Sequence, residues 1–192
     1  DGFYDISMPL YNEHSEKFTH LNIIAKSSGT FSMGLHGNAD VTENYKFLLP
    51  EMVINNVAFK NVITETTYGT NSRIGATLLK YGIVTVDYKN KKFYFEPFEE
   101  KKSFDLSAKE WPFNATLIEG KLAVGILWDA SLEKNIKVGD LIVQLDDINY
   151  EKMTVCDLIK TSLSKIDKER ATITLKDVIT GEIKKLEIEK LV

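Results

Sequence analysis

Two aspartates invite a catalytic reading, and neither sustains it. Asp5, in "YDIS", has no loop glycine after it and reads as a surface aspartate. Asp87, in "TVDYKNKK", closes a strand just before a turn, where a carboxylate caps local backbone. His14, His20 and His36 lack the local spacing that gathers imidazoles around one metal ion, and there is no G-x-S-x-G, C-x-x-C or phosphate-loop glycine pattern. Metal, serine-hydrolase and nucleotide chemistry are therefore disfavoured, and no cofactor is implied. The single cysteine, Cys156, lies inside an apolar helical pattern, so no disulfide can form within the chain. Glycines 29, 34 and 37, in "SSGTFSMGLHG", permit a bent hairpin.

The elements that must position these residues are mostly strands. The alternating runs "EMVINNVAFKNVITETT" (51–67) and "GIVTVDYKNKKFYF" (82–95) are rich in β-branched and aromatic residues and are interrupted by turn formers. In "ATLLKYG", Leu78 and Leu79 precede Tyr81 and Gly82, which predicts about two helical turns with a glycine stop. Near the start, Ser7 as a cap and Pro9 in a first turn predict a second short helix. "EPFEEKKSF" concentrates charge around Pro97 with no hydrophobic period and reads as a surface linker, which divides the chain into residues 1–99 and 103–192.

In the second half, apolar runs flank the turns Glu119-Gly120 and Thr180-Gly181 and predict two hairpins. Between them Val155, Leu158, Ile159, Leu163 and Ile166 recur at helical spacing behind Thr154, a candidate cap. The fold class is mainly β with short helices, as two compact domains. A net charge of −4 with no basic block argues against nucleic acid or an anionic membrane as partners. No apolar run reaches the roughly 20 residues of a membrane span, and the N-terminus lacks signal-peptide character, so the chain is expected to be soluble.

The order of elements in the first half resembles one lobe of a retropepsin-like aspartic protease of bacterial type: the glycine-spaced hairpin, a long apolar hairpin ending in "NVITETT", Ile74-Gly75, a short helix and a closing strand. The resemblance implies a substrate-covering flap that includes Gly29, Thr30, Phe31 and Gly34, and a turn, Ile74-Gly75, that supports the catalytic loop. Arg73 stands where that family usually has an apolar residue. The family's chemistry rests on an Asp-Thr/Ser-Gly motif upstream of the flap, at an offset that falls at or just before residue 1. Two such carboxylates share a proton, one activating water and the other assisting the carbonyl. Asp1-Gly2 lacks the intervening hydroxyl residue, so no catalytic residue is assigned within this chain.

The second half resembles a PDZ domain through "GKLAVGILWDASLEKNIKVGDLIVQLDDINY". That likeness implies a peptide groove between the strand starting near Phe113 and the helix after Thr154, lined by Trp111, Phe113, Asn114, Val155 and Ile159. The family holds a peptide carboxylate with backbone N–H groups of a glycine-rich loop. The matching loop here is "EWPFN", in which Pro112 has no N–H and Glu110 adds negative charge, so discrimination for a free carboxylate should be weak. Gly139-Asp140 reads as a turn former.

The two resemblances together imply a C-terminal fragment of an aspartic endopeptidase, a hydrolase inactive as this chain alone, whose partners are peptides or protein segments. The second aspartate would come from another copy of the chain or from an upstream lobe. The alternative is a non-catalytic scaffolding module. Family likeness alone suggests the cell envelope or secretion.

Overall fold

The structure, a computed structural model, describes residues 2–18, 21–30, 33–34, 37–38, 40–161 and 166–191, with residues 33, 34, 37 and 38 described through their backbone. It is mainly β and divides into two compact units: Asp1–Ala25 with Asn44–Ala108, and Lys26–Glu43 with Lys109–Val192. The sequence-based limits differ from these in two places. Residues 26–43 group with the second unit, and the first unit runs past the charged segment to Ala108.

The first unit begins with β1 (Tyr4–Ser7) and α1 (Met8–Glu13). Ser7 caps the helix as expected: its Oγ accepts a hydrogen bond from Leu10 N–H at 3.4 Å and donates one to the Gly69 carbonyl at 2.8 Å. The chain continues through β2 (Asn22–Gly29), the small pair β3 (Met33–Gly34) and β4 (Gly37–Asn38), then β5 (Thr42–Ile54), β6 (Val57–Thr67) and β7 (Arg73–Ile74). The β5–β6 hairpin closes on Asn55 and Asn56, both left-handed at φ 46° and 66°, a conformation that asparagine tolerates and a two-residue hairpin demands.

Ala76–Lys80 forms a 3₁₀ turn rather than the α-helix suggested by its apolar spacing. Its bonds run from Leu78 N–H to the Gly75 carbonyl and from Tyr81 N–H to the Leu78 carbonyl, and five residues are too few to repay α-helix nucleation. The hairpin of β8 (Gly82–Asp87) and β9 (Lys92–Pro97) follows, with Asp87 accepting from Asn90 N–H at 3.0 Å and from its side-chain amide at 2.6 Å. These bonds hold the Asp87 carboxyl below its ordinary range.

After the charged bend the chain returns as β10 (Ser103–Asp105), which pairs in parallel with β6. An aromatic residue explains the return. Phe104 stacks on Phe59 at 5.5 Å between ring centroids and meets Tyr81 at 5.1 Å, joining a core that also holds Phe3 and Phe95. The sheet order is β2-β5-β6-β1-β7, with β10 beside β6.

The second unit is a five-stranded antiparallel path β11-β12-β13-β15-β16, formed by β11 (Phe113–Ile118), β12 (Lys121–Leu127), β13 (Leu141–Leu145), β15 (Arg170–Lys176) and β16 (Ile183–Glu189), with the short β14 (Ile148–Asn149) on β13. The β11–β12 turn falls on Glu119 and Gly120 at φ 50° and 76°. Gly139 takes φ 95°, and Asp140 accepts from Lys137 N–H at 2.9 Å. α2 (Val155–Lys160) opens on a capping box between Thr154 and Asp157. Leu163 lies outside the described residues, while Ile166 packs against the core. That core is largely aliphatic: Val124, Ile142, Leu145, Ile173 and Leu175 are buried, along with Leu158 from α2.

Candidate functional site

The second unit ends its sheet on two very different edges. β16 reads "IKKLEIE", and its four charged residues, Lys184, Lys185, Glu187 and Glu189, are the usual guard against pairing with another strand. β11 reads "FNATLI", with no charge at all, and among the described strands it pairs with β12 alone. An edge strand without charge lacks the guard against strand addition that β16 carries.

α2 stands at the far end of this edge. A Cβ built on Gly120, in the β11–β12 turn, would lie 3.4 Å from Val155 Cγ2. Leu158 anchors the helix in the core, which leaves Val155 40% and Ile159 65% exposed. The remaining residues expected in the groove are packed or hydrogen-bonded within the unit. Trp111 and Phe113 are 6% and 3% exposed and belong to the core, and Lys190 Nζ sits 5.1 Å above the Trp111 ring. Asn114 accepts from Trp128 Nε1–H at 3.1 Å.

The loop at the near end of the edge is already occupied. Glu110 N–H donates to the Leu191 carbonyl at 2.8 Å, and Leu191 N–H donates back at 2.7 Å. Pro112 supplies no donor, and its carbonyl accepts from Trp128 and Asp129 N–H groups at 2.7 and 3.3 Å. Two of the loop's backbone positions therefore offer no N–H to an incoming carboxylate.

Of the residues expected in a flap, Gly29 and Thr30 lie against β12. Thr30 N–H donates to the Gly125 carbonyl at 2.9 Å, and a Cβ on Gly29 would fall 2.2 Å from that same oxygen. Gly34 lies in β3, paired with Gly37, and Phe31 is outside the described residues. A cleft of about 570 Å3 opens nearby, between Lys26, Ser27 and Ser28 on one side and Leu127, Ile136 and Lys137 on the other. Lys26 is paired with Glu43 at 2.8 Å, and Lys137 with Asp177 at 3.4 Å.

In the first unit, Ile74 pairs with Tyr4 across β1–β7, and Gly75 N–H donates to the Phe3 carbonyl at 2.9 Å. A Cβ on Gly75 would lie 1.9 Å from the Gly2 carbonyl oxygen, so only glycine fits this approach to the N-terminal strand. Asp5 stands opposite Arg73 in the same pairing. Burial pushes its carboxyl up, while the Arg73 guanidinium pulls it down. Arg73 also donates to Thr67 Oγ1 at 2.6 Å, which gives the unexpected cation at this turn two polar partners. Among the described residues, His14 joins no metal-binding group, because no cluster of three or more histidine, cysteine, aspartate or glutamate side chains is placed to hold an ion. Nor is any helix there long and apolar enough to cross a membrane.

No protein-family model, curated protein or solved structure matches the chain. One residue that matters to the second unit is absent from the sequence-based set. Gly125 sits in the middle of the strand run "KLAVGIL", and a glycine inside a strand is the available signal of a bulge or a close backbone approach.

Proposed function

We propose that this chain is a peptide-binding segment of an aspartic-protease-like protein. The second unit acts as a PDZ-like domain that adds an extended peptide along β11, and the first unit is a retropepsin-like lobe. One observation carries the reading: β11 is an uncharged edge with α2 at its end, and the helix leaves Val155 and Ile159 exposed while the opposite edge, β16, is guarded by charge. Backbone hydrogen bonds along β11 would supply affinity, and the exposed aliphatic side chains would select apolar residues in the peptide.

Hydrolysis is not assigned to the chain itself. A proton-sharing pair of aspartates is the core of that chemistry, and this sequence contains no Asp-Thr/Ser-Gly. Asp5, opposed by Arg73, has the surroundings of a structural carboxylate. The purified chain is accordingly expected to bind peptides without cleaving them. Cleavage that survives purification and is blocked by an aspartic protease inhibitor would contradict the assignment.

The binding test uses octapeptides selected on the full chain from a random library, each remade as free acid and as amide. With Pro112 lacking a donor and Glu110 N–H committed to Leu191, the two forms should bind within a few-fold of each other. One hydrogen bond to a charged group is worth about 1.5 to 3 kcal/mol, so a loop that captured the carboxylate would favour the acid by roughly tenfold or more. A preference of that size would overturn the reading of the "EWPFN" loop, and a library yielding no binder would overturn the function.

A further inference from the structure

The bulge in β12 connects the proposed peptide edge to the segment that leads into the glycine-spaced hairpin. Asn114 pairs with Ile126 and Ala115 with Val124, so Gly125 is the extra residue, opposite no position of β11. On the other side of β12, Val124 is held by the loop before β13: its carbonyl accepts from Gly139 N–H at 2.8 Å and its N–H donates to the Asp140 carbonyl at 2.9 Å. The next carbonyl along, that of Gly125, instead takes Thr30 N–H. The fit is close from every direction. A Cβ on Gly125 would lie 2.2 Å from the Thr30 carbonyl oxygen and 3.1 Å from Thr116 Cβ, and one on Gly29 would lie 2.8 Å from Ile126 Cγ1. Thr116 belongs to β11. A continuous set of contacts thus runs from β11 through the bulge residue to Gly29 and Thr30.

We propose that peptide addition at β11 and attachment of residues 26–30 to Gly125 are thermodynamically linked, so that a bound peptide tightens the hold on the strand leading to the Met33–Asn38 hairpin. The link rests on the peptide-binding function proposed above. A bulge bends the strand that carries it, here β12 beside β11, and that bend aims the extra carbonyl. A strand added to the outer side of β11 restrains the bend, keeps the Gly125 carbonyl directed at Thr30 N–H and disfavours the detached form of the segment. Linkage is reciprocal, so attachment of the segment must strengthen peptide binding by the same factor.

The test uses the full chain and the tightest octapeptide selected on it, with amide exchange read residue by residue. Saturating peptide should slow exchange of the Thr30 amide by about fivefold or more, the lower end of ordinary coupling between sites. In Gly29→Ala, whose added methyl collides with the Gly125 carbonyl, the segment should detach and the peptide should bind more weakly by the same factor. The wild-type measurement stands even if that variant folds poorly. Perturbation of β11 amides with no change at Thr30, or unchanged peptide affinity in a folded Gly29→Ala, overturns the linkage and leaves peptide binding intact. Absence of any perturbation along β11 overturns both.

Discussion

The two edges of the second unit's sheet face the same problem with opposite solutions. β16 carries two lysines and two glutamates, and one of the glutamates, Glu189, is further engaged with Arg170 of β15 at 3.0 Å. β11 carries none, and its neighbouring loop already uses Glu110 and Leu191 to satisfy each other. Charge on an edge strand prevents unwanted pairing, and the proposed function places the peptide on the edge that lacks it. The first unit shows a strand with partners on both sides. β6 has β5 along one side, while β10 pairs with Ala58, Phe59 and Lys60 and β1 with Glu65, Thr66 and Thr67.

The comparison is broken most severely from the centre of the sheet, where both edges depend on the same core. Ile173 of β15 is fully buried, and Ile173→Ala should cost about 2 to 5 kcal/mol through lost burial and the cavity left behind. Both tryptophans, Trp111 and Trp128, lie in the second unit, so denaturant unfolding followed by tryptophan fluorescence reads this unit directly. A cost below about 1 kcal/mol would contradict the placement of Ile173.

A charge placed on the open edge should make it resemble the guarded one. Ile118→Lys, at a half-buried position of β11 outside the core cluster, is expected to weaken selected peptides by about 1 kcal/mol, roughly fivefold, with the unfolding midpoint nearly unchanged. Unaltered affinity by calorimetric titration would mean that peptides do not use this edge.

The guarded side has its own pH dependence. Asp177, before the β15–β16 turn, accepts hydrogen bonds from Ile179 and Thr180 N–H groups at 2.9 Å each, which hold its carboxyl down at about 2 from an ordinary 3.8. Because the folded value is the lower one, the stabilisation is complete above the ordinary value and is lost as pH falls from near 3.8 towards 2. Exchange at the turn amides should accelerate over that window, and Asp177→Asn, which keeps an acceptor oxygen but no titrating group, should remove this dependence.

The smallest effects concern two buried hydroxyls without hydrogen-bond partners among the described residues, Thr116 Oγ1 of β11 and Tyr150 Oη. Thr116→Val and Tyr150→Phe remove groups that gain nothing from the fold, so each should be neutral or stabilising by up to about 1 kcal/mol in the same fluorescence assay. A loss of more than about 1 kcal/mol in either would show that the hydroxyl is satisfied.

What the sequence disclosed of this arrangement was local. Ser7 and Thr154 as caps, the turn at Glu119-Gly120, the turn-binding role of Asp87 and the positive φ of Gly139 follow from residue type and immediate neighbours, and the structure has all of them. The features that escaped depend on partners far along the chain. Nothing near Thr30 indicates that its N–H meets Gly125, and nothing in "EPFEEKKSF" indicates that its last residue, Phe104, returns to stack on Phe59. Motif position assigns Trp111, Phe113 and Asn114 to the groove. Burial of the two rings and the bond from Trp128 to Asn114 are decided by packing, which residue type alone does not specify. Ile159 could be placed on a helix by its spacing, but its exposure depends on Leu158 taking the core position.

The central claim is that β11, and not β16, receives the peptide. Amide chemical shifts of the isotope-labelled full chain, followed while a selected octapeptide is titrated in, test it most directly. The account requires the largest changes in Phe113–Ile118 and Val155–Lys160, with Ile183–Glu189 nearly still. Changes concentrated in β16, or spread with no focus on β11 and α2, would contradict it.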